Sequence, residues 1–149
     1  MSDQQNGVVI TQATRDDVER IVPLFDAYRQ FYQHASDPAA ARDFLSARLE
    51  RNESVIFLAS LVSANGDATS APHDVGFTQL YPIFSSTQLR TEWLLNDLYV
   101  APDARRHGVA RALLERARAF GQSSGAVELM LQTGVENHPA QTLYTSMGW

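Results

Sequence analysis

Cysteine is absent from this 149-residue chain, and so is lysine. The first absence excludes disulfides, thiolate nucleophiles and thiolate metal sites. The second excludes a nucleotide-triphosphate loop of the form G-x-x-x-x-G-K-[ST], whose lysine reaches the phosphates. Long apolar runs are missing as well. None approaches the ~20 residues of a membrane span, and the polar start from Met1 to Asn6 lacks the basic-then-apolar order of a signal peptide. A cytoplasmic protein without membrane attachment is the reading. His34, His73, His107 and His138 are scattered without ligand spacing, so no metal is expected. Positive charge is scarce overall, with a net charge of -5, which speaks against a nucleic-acid partner.

The positive charge that is present is concentrated. All twelve basic side chains are arginine, and Arg105, Arg106, Arg111, Arg116 and Arg118 fall in one short stretch. A local basic cluster on an acidic chain suits a small polyanion, although Arg116 and Arg118 read equally as a solvated helix face. The acidic remainder suits a cationic amine drawn in by long-range steering. A hydrophobic fraction of 44% against 19% charged residues marks a globular chain, and its length suits one domain over 1–149.

Periodicity divides the chain into α and β segments. Gly7 to Thr11 is short and β-branched, a first strand. Thr14 and Asp17 resemble a capping box, with aspartate in place of the usual glutamate. Val18, Ile21, Val22 and Phe25 then recur at helical spacing, with Pro23 expected to kink or restart the helix. Phe25, Tyr28, Phe31 and Tyr32 crowd its second half. Pro38 opens a second helix through Leu49. Val55 to Val62 is a second strand. Val75, Phe77, Gln79 and Tyr81 alternate as a third, ending at Pro82, and Glu92 to Val100 is a fourth. Val109 to Phe120 forms a helix, with Gly121 and Gly125 bracketing its end. Val127 to Leu131 is a fifth strand, and Ala140, Leu143, Tyr144 and Met147 mark one face of a last helix. The order is β-α-α-β-β-β-α-β-α. The fold class is α/β: one mixed, mostly antiparallel sheet with helices on both faces. The fourth strand, its helix and the fifth strand should make a right-handed parallel crossover.

Between the fourth strand and its helix stands Arg105-Arg106-His107-Gly108-Val109-Ala110, or R-x-x-G-x-A. The first turn of a helix carries N–H groups without internal partners, and its dipole favours negative charge. Gly108 permits close approach to the backbone, Ala110 keeps the next turn uncrowded, and the arginines add charge. The stretch therefore reads as a phosphate site. The dinucleotide fingerprint G-x-G-x-x-G does not fit it.

This stretch resembles the R/Q-x-x-G-x-G/A signature of the GCN5-related N-acetyltransferases, which holds the pyrophosphate of acetyl-coenzyme A. Asn96-Asp97-Leu98-Tyr99-Val100-Ala101-Pro102 is similar to that family's fourth strand, L-x-V-x-P. Thr133, Glu136-Asn137 and Ala140 resemble the region after its fifth strand, where an asparagine contacts the cofactor arm. Leu143-Tyr144 with Met147-Gly148-Trp149 resembles its L/F-Y-x-x-x-G-F/W ending. The likeness covers most of residues 90–149; the earlier residues match in element order only. Two departures stand out. Arg106 occupies a position often held by glycine, and the chain stops at Trp149 where the family continues with one or two more strands. The missing strands would leave a sheet edge, and with it the expectation of a homodimer.

The resemblance implies an N-acetyltransferase with acetyl-CoA as co-substrate and a small-molecule or peptide amine as acceptor. Within the family, the branches acting on polyamines, histone tails and amino acids look most similar. The alternative is a non-catalytic coenzyme-A-binding module of the same fold. The implied cofactor contacts are Leu98, Tyr99, Val100, Arg105, Arg106, His107, Gly108, Val109, Ala110 and Asn137. A backbone N–H near Leu98 to Val100 would serve as oxyanion donor, while Leu98 and Val100 also read as strand core. Direct attack by the amine needs no side-chain nucleophile, so no acyl-enzyme is expected. Tyr144 is the candidate acid toward the leaving sulfur, or else a core aromatic of the last helix. Asp97 is the candidate base, with Glu92 as the alternative. Tyr28, Tyr32 and Tyr81 are candidates for an amine pocket through cation–π contact, part core and part pocket.

Overall fold

The computed structural model describes residues 3–5, 7–62, 73–105, 107–125 and 129–131. Six strands form one sheet whose spatial order follows the chain. They are β1 (Asp3–Gln5), β2 (Val8–Gln12), β3 (Val55–Leu61), β4 (His73–Ser85), β5 (Arg90–Val100) and β6 (Leu129–Leu131). Neighbours from β1 to β5 pair antiparallel, whereas β6 joins β5 in parallel. The parallel step is spanned by α3 (Val109–Ser123); α1 (Val18–Phe31) and α2 (Pro38–Glu50) lie between β2 and β3 in sequence. The expected α/β order and the antiparallel run of the middle strands are present. The last expected helix, with Tyr144, lies outside the described residues.

Local chemistry explains where each helix starts and stops. The Thr14 hydroxyl accepts from Asp16 N–H, and the Asp17 carboxylate accepts from Thr14 N–H at 2.8 Å. This capping box opens a 3₁₀ turn over Arg15–Asp17 that runs into α1. Asp37 caps α2 by accepting from Ala40 N–H at 3.1 Å, with Pro38 in the first turn where its missing N–H costs nothing. Asn52, at φ 54°, ends α2 in the left-handed region that asparagine tolerates.

The structure corrects four sequence expectations. Pro23 does not restart α1, which is helical from Val18 to Phe31. Pro23 is exposed, so water can take the carbonyl that loses its partner. Pro82 does not end β4 but pairs with Trp93 inside it. The described pairing of β3 with β4 stops at Leu80, and beyond it a missing N–H interrupts no described ladder on that side. Polar Asp3–Gln5 forms an added edge strand, turned back onto β2 by Gly7 at φ 81°. Arg116 is half-buried rather than fully solvated; its guanidinium lies 4.7 Å from the centroid of the buried Phe57 ring.

The sheet is covered on both faces. One face packs Val8, Ile10, Phe57, Leu80 and Leu95 against Val109, Leu113, Leu114 and Ala117 of α3. The other packs Ile56, Leu58 and Phe77 against Ile21, Val22 and Phe25 of α1 and Leu45 of α2. Each fully buried leucine of α3 contributes roughly 1.5–3 kcal/mol. Among the described residues, no helix is long and apolar enough to cross a membrane.

Gly76 sets how closely α3 approaches the sheet. A Cβ there would stand 2.8 Å from the Tyr99 carbonyl oxygen and 3.2 Å from Val109 Cγ1. The carbonyl belongs to the backbone of β5 and cannot swing away. Gly76→Ala should therefore destabilise the chain by about 1–3 kcal/mol, the usual cost of overpacking. Urea unfolding checks this, and a stability within 0.5 kcal/mol of wild type would show that the strands part without resistance.

Candidate active site

The R-x-x-G-x-A segment folds into an open helix start. Beyond β5, Ala101 N–H donates to the Val75 carbonyl at 2.8 Å, and Pro102–Ala104 make a 3₁₀ turn with Ala104 buried. Arg105 Nε donates to the Val100 carbonyl at 3.2 Å, which holds its guanidinium at the end of β5. Gly108 is the N-cap of α3 at φ 77°, a left-handed conformation that L side chains rarely adopt. A Cβ on Gly108 would meet nothing within 4 Å. Having no side chain, Gly108 cannot cap the helix, so the first-turn N–H groups face this space with the positive end of the dipole. Val109 is buried against Gly76, Ala110 is half-buried, and His107 is exposed. Arg106 and Asn137 lie outside the described residues. The residues present fit a phosphate chain: room where a Cβ would be, first-turn N–H groups that have no partner within the helix, and a braced arginine.

The second part of the site is a β-bulge. Gln79 pairs with Asp97 and Leu80 with Leu95, which leaves Asn96 as an extra residue in β5. Side chains alternate along a strand, so Leu95 and Asp97 would normally share a face. The extra residue separates them. Leu95 stays in the α3 core, as do Leu98 and Val100. Asp97 instead points with Gln79 and Tyr99 toward α1. The described pairing of β6 covers Trp93 to Leu95, the residues just before the bulge.

Asp97 is 5% exposed and well supplied with donors. Gln79 Nε2 donates to Oδ2 at 2.7 Å, Asn96 Nδ2 donates to Oδ1 at 3.1 Å, and the Tyr28 phenol lies near enough to interact with the same carboxyl. Thr78 Oγ1 donates to the Asp97 backbone carbonyl at 2.7 Å. Burial pushes the Asp97 carboxyl above the usual aspartate range, and Gln79, Tyr28 and Asn96 pull it partly back. Tyr28 and Tyr81 are both pushed well up, first by burial and then by the Asp97 charge. Both phenols therefore stay protonated and can donate.

The structure thus brings Tyr28, Tyr81 and Asp97 together. Tyr32 joins through its ring, which meets Tyr28 edge-on at 5.2 Å. Tyr99, expected only as a cofactor contact, faces Tyr28 at 6.2 Å. Glu92 is not part of this group; it pairs with Ile83, four ladder positions from the Asp97 pair. Tyr144 lies outside the described residues. Gln79, Gly76 and the Asn96 bulge were missed. A glutamine within an otherwise apolar alternation was the available signal for the first. The string Gly121-Gln122-Ser123-Ser124-Gly125 has nucleophile-elbow spacing but closes α3, where Ser123 Oγ donates to the Phe120 carbonyl at 3.0 Å. Among the described residues, no group of three or more His, Asp or Glu side chains could hold a metal ion.

Comparison with known proteins bears on the same elements. The chain is 44% identical over 140 residues to "Uncharacterized N-acetyltransferase YhfO" of Bacillus subtilis, covering 94% of this chain and 88% of that one. It is 37% identical over 109 residues to a "Probable acetyltransferase" of Haemophilus influenzae, covering 73% and 69% respectively. A solved structure described as a probable acetyltransferase superposes with a TM-score of 0.83 at 44% identity, covering 94% of this chain and 88% of that chain. The model of the acetyltransferase (GNAT) family matches residues 21–149, which takes in most of α1, the bulged β5, the Gly108 helix start and β6. The chain belongs to the acetyltransferase (GNAT) family.

Proposed function

We propose that this protein transfers the acetyl group of acetyl-CoA directly to a primary amine of a small molecule or peptide. The observation that carries this reading is the open, left-handed Gly108 at the head of α3. It stands beside a bulged strand that presents a buried carboxylate. In the reading, the pyrophosphate lies on the first turn of α3 with Arg105 beside it. The acetyl-pantetheine arm runs along Leu98, Tyr99 and Val100, pairing with backbone as an added strand would.

The chemistry follows from what each group can do. The amine nitrogen attacks the thioester carbon, the C–N bond forms and the C–S bond breaks. A backbone N–H of residues 98–100 receives the oxyanion. The nitrogen gives up its proton to Asp97, directly or through a water, and Tyr28 holds that carboxylate in place. Tyr144 returns a proton to the departing thiolate. A thiol pKa near ~8.5 against about 10 for a phenol makes that transfer partial, useful late in the breakdown step.

Binding comes first among the tests. Gly108→Val should abolish close approach and cut acetyl-CoA affinity sharply, and Arg105→Ala should weaken it with a flatter salt dependence. Gly108→Asn, which tolerates the left-handed region, separates lost access from backbone strain. Calorimetry showing unchanged affinity in all three would remove the central claim. Release of free thiol from acetyl-CoA with an amine panel then separates an enzyme from a binding module.

The Asp97 assignment predicts a pH dependence. A base must be ionised, and burial holds this one above the ordinary ~3.9. Activity (kcat/KM) should therefore fall as pH falls, inflecting above that value. Asp97→Asn should lose about 10²–10⁴-fold in rate, and its residual activity should lack the acid limb. Stability runs the same group in the other direction. The folded state holds this proton more tightly than the unfolded chain, so the contribution is full below the unfolded pKa. It is lost as pH rises through the folded one. An acid limb that persists unchanged in the variant would mean another base.

Tyr144→Phe keeps the ring and removes the proton. Near-normal acetyl-CoA binding with turnover lowered by about 10²–10⁴-fold is the expected result. Steady-state kinetics in which the variant keeps more than about a third of wild-type turnover, far inside that range, would sink the acid role.

A further inference from the structure

An open groove of about 660 Å³ lies between α1 and α2. Phe25, Tyr28, Tyr32 and Phe44 line it, together with Arg29 and His34. The aromatic walls are ordered: Phe25 and Phe44 stack at 6.0 Å with 14° between their planes, and Tyr28 meets Tyr32 edge-on. Phe44 and Tyr32 are partly exposed, so these rings face space rather than filling the core. Among the described residues, no carboxylate lines the groove, and the titratable side chains other than tyrosine are Arg29 and His34.

The groove is also built to hold its shape. Asp26, buried in α1, accepts from Ser36 Oγ at 2.6 Å, Asp37 N–H at 2.7 Å and Gln30 Nε2 at 3.1 Å. Arg29 Nη1 donates to the Ala35 carbonyl at 3.0 Å. These bonds pin the link between the two helices back onto α1. Asp37 in turn caps α2, which carries Phe44. Tyr28 connects the groove to Asp97, because it lines the wall and its phenol interacts with that carboxyl.

We propose that this groove receives the apolar body of the acceptor while its amine lies at Asp97. The acceptor is then a monoamine bearing an aryl or branched alkyl group. Two physical reasons support this. Aromatic walls gain most from burying an apolar group. Arg29 is a fixed positive charge on the groove, and with no carboxylate among its described lining residues the additional ammonium groups of a polyamine or an aminoglycoside find no opposite charge there. This rests on the acetyltransferase reading above and narrows it.

The test titrates the whole chain with ethylamine, 2-phenylethylamine, spermidine and kanamycin by calorimetry, with and without coenzyme A. Phenylethylamine should bind about 10–100-fold more tightly than ethylamine, the gain expected from burying a phenyl group. Spermidine and kanamycin should bind no more tightly than ethylamine. Phe44→Glu should erase the phenyl advantage and improve spermidine binding. Tyr32→Ala, at a second partly exposed wall, should erase the advantage without improving spermidine. Circular dichroism confirms that both variants fold. Tighter binding of spermidine or kanamycin than of phenylethylamine overturns the proposal. So does the absence of any amine binding, or a phenyl advantage that both variants retain. Loss of coenzyme A binding alone would instead count against the acetyltransferase reading, because the amine titrations without it still decide the groove.

Discussion

One extra residue in β5 organises the site. Without the bulge at Asn96, Asp97 would fall on the same face as Leu95 and point into the leucine-rich core beneath α3. A carboxylate there would have no donors and would be expelled or protonated. The bulge turns it to the other face, where Gln79, Asn96 and Tyr28 reach it. The same residue leaves Leu98 and Val100 in the core, so the strand gains a buried carboxylate without losing its apolar anchor.

Two glycines then set α3 relative to that strand, for different reasons. Gly76 is needed because no Cβ fits between β4, the Tyr99 carbonyl and Val109. Gly108 is needed for its left-handed backbone, and the space beside it lies open. The first brings the helix close to the sheet. The second frees the N–H groups at its head. The helix head and Asp97 thus belong to consecutive elements, α3 and β5, and the proposed reading gives the first to a polyanion and the second to a proton. Low dielectric around Asp97 raises its affinity for that proton, which a base toward an ammonium requires.

Much of this was legible from residues alone, because local rules act over a few positions. Thr14 with Asp17 announced the capped start before α1, and Pro38 the start of α2. Arg105 to Ala110 announced a helix start with a glycine at its head, and the strand before it was recognisable from Leu98 to Pro102. Of the tyrosines expected at an amine pocket, Tyr28 and Tyr81 lie near Asp97, and Tyr32 packs edge-on against Tyr28. Other features left no local trace. The bulge depends on which residue of β4 opposes which residue of β5, and no residue type marks it. Gly76 carries no signal until Tyr99 and Val109 are placed against it. Pro82 looked like a strand end because a proline breaks a ladder, yet β4 outruns β3 there. Asp3–Gln5 is polar and reads as a tail, but a sheet edge pairs through backbone groups that every residue carries.

The sequence by itself determined the element types, the capped helix starts, the phosphate-like helix head and the resemblance to an acetyltransferase. Those depend on neighbours within one or two turns, where residue type controls backbone geometry and hydrogen bonding. Tertiary structure alone decided the face to which Asp97 turns, that Gln79 and Tyr28 serve it, and that Glu92 does not. It also decided that α1 and α2 enclose an aromatic groove whose described lining holds Arg29 and His34 but no carboxylate. The reason is one of register and distance. Strands β4 and β5 meet across a hairpin, and α1 reaches β5 from far along the chain. A side chain's partners are then fixed by a pairing count and a packing distance that no short stretch of sequence encodes.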